Sequence, residues 1–337
     1  MRRSAISCSF LAVLALVLCG VGAARAEHIK IAGLKTTGAG PLYLAIEKGY
    51  FTANGIDAEM VFFDAAQPVA VAVVSGDVDF GATGLTAGFY NLAGHGELRI
   101  IGAQGREAPG FHNLGFLASN RAYEGGLKSV RDLGGRTVAL TQAGTPGHYA
   151  LGAIAEKYGI AFATIRTTAM QSVPNIVSAL TGGQADAGVT VVTVPMMPVI
   201  DRGDLKLLAW VGDEIPFQDR AIFVATKTAD ERRDVIERFF RAFRRGAQDY
   251  HDAFIGPDER PRGGPTAAET IDIIGKYVGQ PPEAVKLGIA YIDPTLRVDV
   301  ADVMRQIAWY KAKGMVKPDV DGSAIIDQRY VTPLPTP

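Results

Sequence analysis

The residues of this chain that could do chemistry are small and polar, and they recur at the same kind of place. Lys35-Thr36-Thr37, Ala66-Gln67, Thr83-Gly84-Leu85-Thr86, Gly144-Thr145 with His148, Gln171-Ser172, and Thr190 through Thr193 lie where short apolar runs hand over to the next segment, most often a helical pattern. Hydroxyls and amides at helix starts suit an anion, because the first N–H groups of a helix lack internal partners and the helix dipole favours negative charge there. One such loop is ordinarily a cap. Two facing sets make a ligand cleft.

Groups for catalysis are sparse. His28, His95, His112, His148 and His251 share no metal-ligand spacing, and neither His-Glu-x-x-His, Gly-x-Ser-x-Gly nor a phosphate-binding lysine loop occurs. Asp77 and Asp79 form a carboxylate pair, but at a strand-end turn they are expected to satisfy backbone. Gly38-x-Gly40 lacks the third glycine of a dinucleotide loop. The reading is binding without turnover, with no cofactor and no metal.

The elements that must hold these loops follow a repeated grammar. A strand over 28–32 leads through the Lys35–Gly40 loop into a helix over about 41–48; a strand over 57–63 precedes a helix over 67–75; Val78–Gly81 reads as a short strand. A second series runs from a strand over 133–140 to a helix over about 149–157, then a helix over 176–180 and a strand over 185–192. Strand, turn and helix at this spacing imply parallel α/β sheets. Beyond Arg233 the pattern is helical: Val235, Phe239, Phe243, Ala247, Tyr250 and Phe254 recur at three- and four-residue steps, and Asp299 is placed to cap a last helix ended by Gly314.

The first 26 residues read as a secretory signal. Arg2 and Arg3 precede an apolar run over 10–19, and Ala24-Arg25-Ala26 is a small-x-small cleavage pattern, with cleavage expected after Ala26. Leu18 before Cys19 disfavours lipoprotein processing. Cys8 and Cys19 leave with the segment, so the exported chain carries no thiol or disulfide, and the periplasm is the expected compartment. The whole chain has 337 residues, 48% hydrophobic and 20% charged, with net charge −1, which suits a two-domain globular protein and gives no electrostatic basis for binding nucleic acid.

Pro41-Leu-Tyr-Leu-Ala-Ile-Glu-Lys-Gly-Tyr-Phe51 with Gly55-Ile56, then Ser75-Gly-Asp-Val-Asp-Phe-Gly81 and Ser129-Val-Arg-Asp-Leu-Gly-Gly-Arg-Thr-Val138, resemble the nitrate/sulfonate/taurine class of ABC-importer substrate-binding proteins. That class is related to pyrimidine-precursor binding proteins and thiamine-pyrimidine synthases. The resemblance implies a bilobed α/β periplasmic-binding-protein fold (type II), two parallel or mixed sheets flanked by helices with a cleft between lobes. It also implies two crossings between lobes, expected near Phe116 and Ala221. One lobe then spans 27–116 and 222–337, the other 117–221. The implied function is capture of a small organic anion by lobe closure and delivery to a membrane permease, as a monomer. The alternative is a pyrimidine-precursor binder or a synthase-like enzyme, although those synthases carry a cysteine-rich motif and iron. A regulator's effector domain would need a DNA-binding segment in place of residues 1–26.

Energetics narrow the ligand. Helix ends contribute about 0.3–1 kcal/mol each, ~2 when partly buried, while a micromolar solute needs about 8 kcal/mol. A direct contact from Lys35, Arg106 or Arg220, or stacking on Tyr43, Phe89, Tyr90, His148, Tyr149, Trp210 or Phe217, must supply the rest. This favours an organic anion over bare nitrate or sulfate.

Overall fold

The computed structural model describes residues 26–192 and 196–335, so the expected signal segment up to Arg25, and Thr193, lie outside the described residues. Among the described residues ten strands form two five-stranded sheets. The first contains β1 (Glu27–Gly33), β2 (Ile56–Phe62), β3 (Phe80–Gly84) and β4 (Leu98–Glu107). The second contains β5 (Leu114–Ser119), β6 (Thr137–Leu140), β7 (Arg166–Ala169), β8 (Ala187–Val191) and β9 (Leu205–Trp210), after which β10 (Phe217–Ala225) rejoins the first. Their orders are β2-β1-β3-β10-β4 and β7-β6-β8-β5-β9.

Both sheets are mixed. β1 runs parallel to β2 and β3, and β6 parallel to β7 and β8, joined by helices as right-handed crossovers require. β10 is antiparallel to β3 and β4, and β5 is antiparallel to β8 and β9. These antiparallel strands follow the two changes of sheet, at 108–113 and 211–216. Phe116 and Ala221, the expected crossings, instead lie inside β5 and β10. Both strands are buried along nearly their whole length; β5 and the Ala221–Val224 part of β10 read as apolar runs without alternation, which hides the strand ends.

Other boundaries shift for local reasons. The strand expected at Val78 begins at Phe80, because Asp77 and Asp79 are spent on the turn: Ser75 Oγ donates to Asp77 (2.7 Å), and Asp79 accepts from the Lys30 N–H (2.8 Å). The strand expected from Leu133 begins at Thr137, after a turn at Gly134-Gly135. The helix Arg233–Phe254 has the bounds its periodicity predicts, and its Phe239 stacks on Phe80 of β3, with ring centroids 4.2 Å apart.

One apolar core joins the two sheets. It holds Ala32 and Phe223 from the first, Phe116 and Val138 from the second, and Tyr310 from the helix Val300–Ala312. Asp299 caps that helix through the Asp302 N–H (2.9 Å). Its Tyr310 hydroxyl donates to the Thr145 carbonyl (2.9 Å), and its Asp302 accepts from the Gln218 N–H (2.8 Å), so one helix is tied to both halves. No helix among the described residues is long and apolar enough to cross a membrane.

Candidate functional site

The carboxyl ends of β3 and β8 face one cavity of about 90 Å³ between the sheets. Three helix N-termini open onto it: Ala66–Ser75, Pro146–Lys157 and Val173–Thr181. At the first two no side chain caps the start; the Thr145 hydroxyl donates instead to the Gln142 carbonyl (2.9 Å). Their N–H groups are left for a ligand. Leu34, Ala65, Pro146, Val173 and Val189 give the walls an apolar character.

The floor is polar and buried. Gln104 of β4, Asn113, and Asp219 and Arg220 of β10 line it, and all four are buried. The register of β10 against β4 shifts on both sides of Arg220, an irregularity that re-aims side chains. Two chain neighbours thereby reach one cavity, where regular alternation would separate them.

Arg220 is 7% exposed, and its Nε lies 3.0 Å from Asp219 Oδ2. None of its guanidinium nitrogens has a hydrogen-bond partner among the described residues, nor do Asp219 Oδ1 and Gln104 Oε1. The guanidinium is seated between two glycines. A Cβ built at Gly38 would stand 1.6 Å from Nη1, and one at Gly105 2.4 Å from Nη2. Gly38 therefore serves a seat for a cation, not a phosphate loop. Behind Asp219, Glu107 is 1% exposed and accepts from Asn113 Nδ2 and from the Leu114 N–H (3.2 Å). Burial, then the charge of Asp219, pushes the Glu107 carboxyl up to about 8.

The structure brings together Thr36, Thr83, Gly84, Thr145 and Thr190 on the cavity lining, from both sheets. Gln67 and Gly144 work across the cleft: Gln67 Nε2 donates to the Ala143 carbonyl (2.9 Å), and the Ala87 N–H donates to the Gly144 carbonyl (2.8 Å). Gly144 has φ +75°, and a Cβ there would meet that of Ala87 at 2.8 Å.

The other expected residues do not border the cavity. Thr86 and Ser172 cap helices through Phe89 and Asn175, and Gln171 pairs with Gln142 (3.2 Å). The Thr37 hydroxyl donates to the Gly288 carbonyl; Tyr43 stacks on Tyr277 (4.4 Å); Lys35 is exposed above Phe62. His148 accepts from the Gly144 N–H through Nδ1 (3.0 Å), and burial, then the charge of Lys313, lowers it to about 4. It is a neutral loop clasp. Arg106 lies over Tyr291 (4.6 Å), and Trp210 stacks on His112 (4.2 Å). Phe89, Tyr90, Tyr149 and Phe217 are core.

Sequence reasoning missed Gln104, Glu107, Asn113 and Asp219. The available signal was Gln218-Asp219-Arg220, three polar residues at the head of the apolar run Ala221–Val224. Among the described residues no group of His, Cys, Asp or Glu is placed to hold a metal.

A family model described as NMT1/THI5 like matches residues 36–254, well over half of the chain. Among solved structures, the alkanesulfonate-binding protein SsuA of Xanthomonas axonopodis pv. citri, bound to MOPS, is 18% identical with a TM-score of 0.71, covering 89% of this chain and 98% of its own. The periplasmic nitrate-binding protein NrtA of Synechocystis PCC 6803 is 14% identical with a TM-score of 0.67, covering 89% of this chain and 85% of its own. The desulfurization enzyme DSZB is 13% identical with a TM-score of 0.61, covering 91% of this chain and 96% of its own. The fold is that of periplasmic binding proteins. No protein with a curated description matches the chain.

Proposed function

The chain belongs to the NMT1/THI5-like family, and from that premise we propose that it is the periplasmic solute-binding component of an ABC importer, which captures a small organic anion and hands it to a membrane permease. The observation that carries this reading is the Arg220 guanidinium: buried, ion-paired with Asp219 through Nε but with no hydrogen-bond partner for any of its nitrogens among the described residues, and lining a cavity to which both sheets contribute. A buried cation without hydrogen-bond partners is costly unless a ligand supplies them. A sulfonate or carboxylate supplies several at once, with charge assistance.

In this reading the two sheets act as lobes, 27–107 with 217–337 and 114–210, joined at the two changes of sheet. The solute touches Thr36 and Thr83 on one side and Thr145 and Thr190 on the other. It gains the full set of contacts only when the lobes are closed, and it shifts the open–closed equilibrium by that difference. The Gln67–Ala143 and Ala87–Gly144 hydrogen bonds then belong to the closed form, which the permease reads.

The reading is capture, not conversion, although DSZB shares the fold. A thermal-shift screen of residues 27–337 against alkanesulfonates, aminosulfonates, carboxylates, nitrate and aminopyrimidines tests it. Stabilisation by a sulfonate or carboxylate, recovered unchanged by mass spectrometry, is expected. Stabilisation by an aminopyrimidine alone, or product formation, overturns it.

A further inference from the structure

Beneath the cavity lie three ionisable groups within hydrogen-bonding reach of one amide or of one another. Asn113 Nδ2 donates to Glu107 Oε1 and, at 2.9 Å, to Asp219 Oδ2, so a single amide holds two carboxyl groups together. Arg220 stands 3.0 Å from the same Asp219 oxygen. The second oxygen, Asp219 Oδ1, belongs to a cavity-lining residue and has no partner among the described residues.

The surrounding charged and titratable groups are committed elsewhere. Arg106 lies over Tyr291, and His112 stacks on Trp210. Tyr250, from the helix packed on this side, donates to the Ala290 carbonyl (3.2 Å). Asp302 is bound by Gln218 N–H and Gln306 Nε2 (2.7 Å) and paired with Arg305.

Resting on the anion reading above, we propose that the site takes up its anionic solute together with one proton, which Asp219 binds on Oδ1 and keeps, its O–H then serving as a hydrogen-bond donor to the solute.

With Glu107 protonated at neutral pH, Asp219 and Arg220 leave the empty floor neutral. A monoanion seated on Arg220 adds one negative charge to a buried site, where an uncompensated charge is expensive. It would also face the bare Oδ1 of a second anion. One proton from solvent on Asp219 removes both problems: carboxylate plus H⁺ becomes carboxylic acid, and its O–H becomes a donor aimed at the anion that Arg220 holds. Burial already shifts Asp219 upward despite the neighbouring guanidinium, which eases the protonation. The floor is electroneutral before and after capture.

The test is titration calorimetry of the full mature chain with methanesulfonate, a permanent anion that brings no titration of its own. Two amine buffers of different ionisation enthalpy are used, neither carrying a sulfonate. Uptake approaching one proton per solute is expected, with affinity falling up to tenfold per pH unit above neutrality. Asp219→Asn, its fold verified by circular dichroism, should lose most of that uptake; should it not fold, the proton count of the unmodified protein decides alone. Binding with no proton exchange overturns the proposal and leaves the anion reading standing. Failure of methanesulfonate and every other sulfonate and carboxylate to bind overturns both.

Discussion

Gly38→Ala isolates the seat of Arg220 without removing its charge. A methyl at Gly38 would stand 1.6 Å from Nη1 and 2.8 Å from Cζ, whereas non-bonded contacts settle at about 3.5–4.0 Å. The guanidinium must therefore move by about 2 Å. Arg220 is the far end of a long side chain, and the backbone of Gly38 is not in the left-handed region, so the fold can absorb the change. Overpacking of this kind costs about 1–3 kcal/mol of stability. Binding should suffer separately. A hydrogen bond to a charged group contributes about 1.5–3 kcal/mol, so losing one weakens a solute by about ten- to 150-fold. The assay is titration calorimetry with the best solute of the screen, beside thermal melts of the ligand-free protein. Gly134→Ala serves as a control, since its methyl would meet only Ile160 and Thr164 at ordinary contact distance. Unchanged affinity in a folded Gly38→Ala protein would refute the claim that this seat aims Arg220 at the solute.

Three further outcomes follow from the same groups. Glu107 holds a proton in the fold that the unfolded chain releases above about 4.5, so its contribution to stability falls as pH rises from about 4.5 to 8. Glu107→Gln mimics the protonated acid and should flatten that slope, gaining on the order of 3 kcal/mol at pH 7 in denaturant melts; an unchanged slope contradicts the assignment. His148 behaves oppositely: the unfolded chain takes its proton below 6.5 and the fold resists until about 4, so stability falls as pH drops through that window by about 3 kcal/mol. His148→Asn, which keeps an acceptor for the Gly144 N–H, should remove that loss, and an acid limb identical to the parent's would count against it. Thr145→Leu at the cavity wall should weaken solute binding about tenfold or more and lower the ligand-free stability by about 1–3 kcal/mol, because Thr145 is buried and its hydroxyl donates to the Gln142 carbonyl; equal affinity would remove this loop from the site.

The helices were legible because their periodicity is physical: the apolar stripe of Arg233–Phe254 is the face that meets Phe80 and Phe51. The parallel strands were legible from their Gly- and Thr-rich exits. β5 was not, since a buried strand without alternation resembles any other apolar run, and β4, β9 and β10 were not, since their polar residues fall at no regular alternation. The candidate site was half visible. Thr36, Thr83, Gly84, Thr145 and Thr190 lie on the cavity, found by the rule that strand ends and helix starts converge. Asp219 and Gln104 escaped because they sit within strands, at positions that alternation alone assigns to no cleft. Only the register shift in β10 and the glycines beside it turn Arg220 from one of three candidate cations into the one on the cavity.

The most direct test of the account is a crystal structure of residues 27–337 with the solute identified in the screen. The account predicts the solute in the cavity between the two sheets, an anionic oxygen within hydrogen-bond distance of the Arg220 guanidinium, and contacts to Thr36 or Thr83 on one side and Thr145 or Thr190 on the other. A solute bound elsewhere, or in this cavity with Arg220 turned away from it, would contradict it.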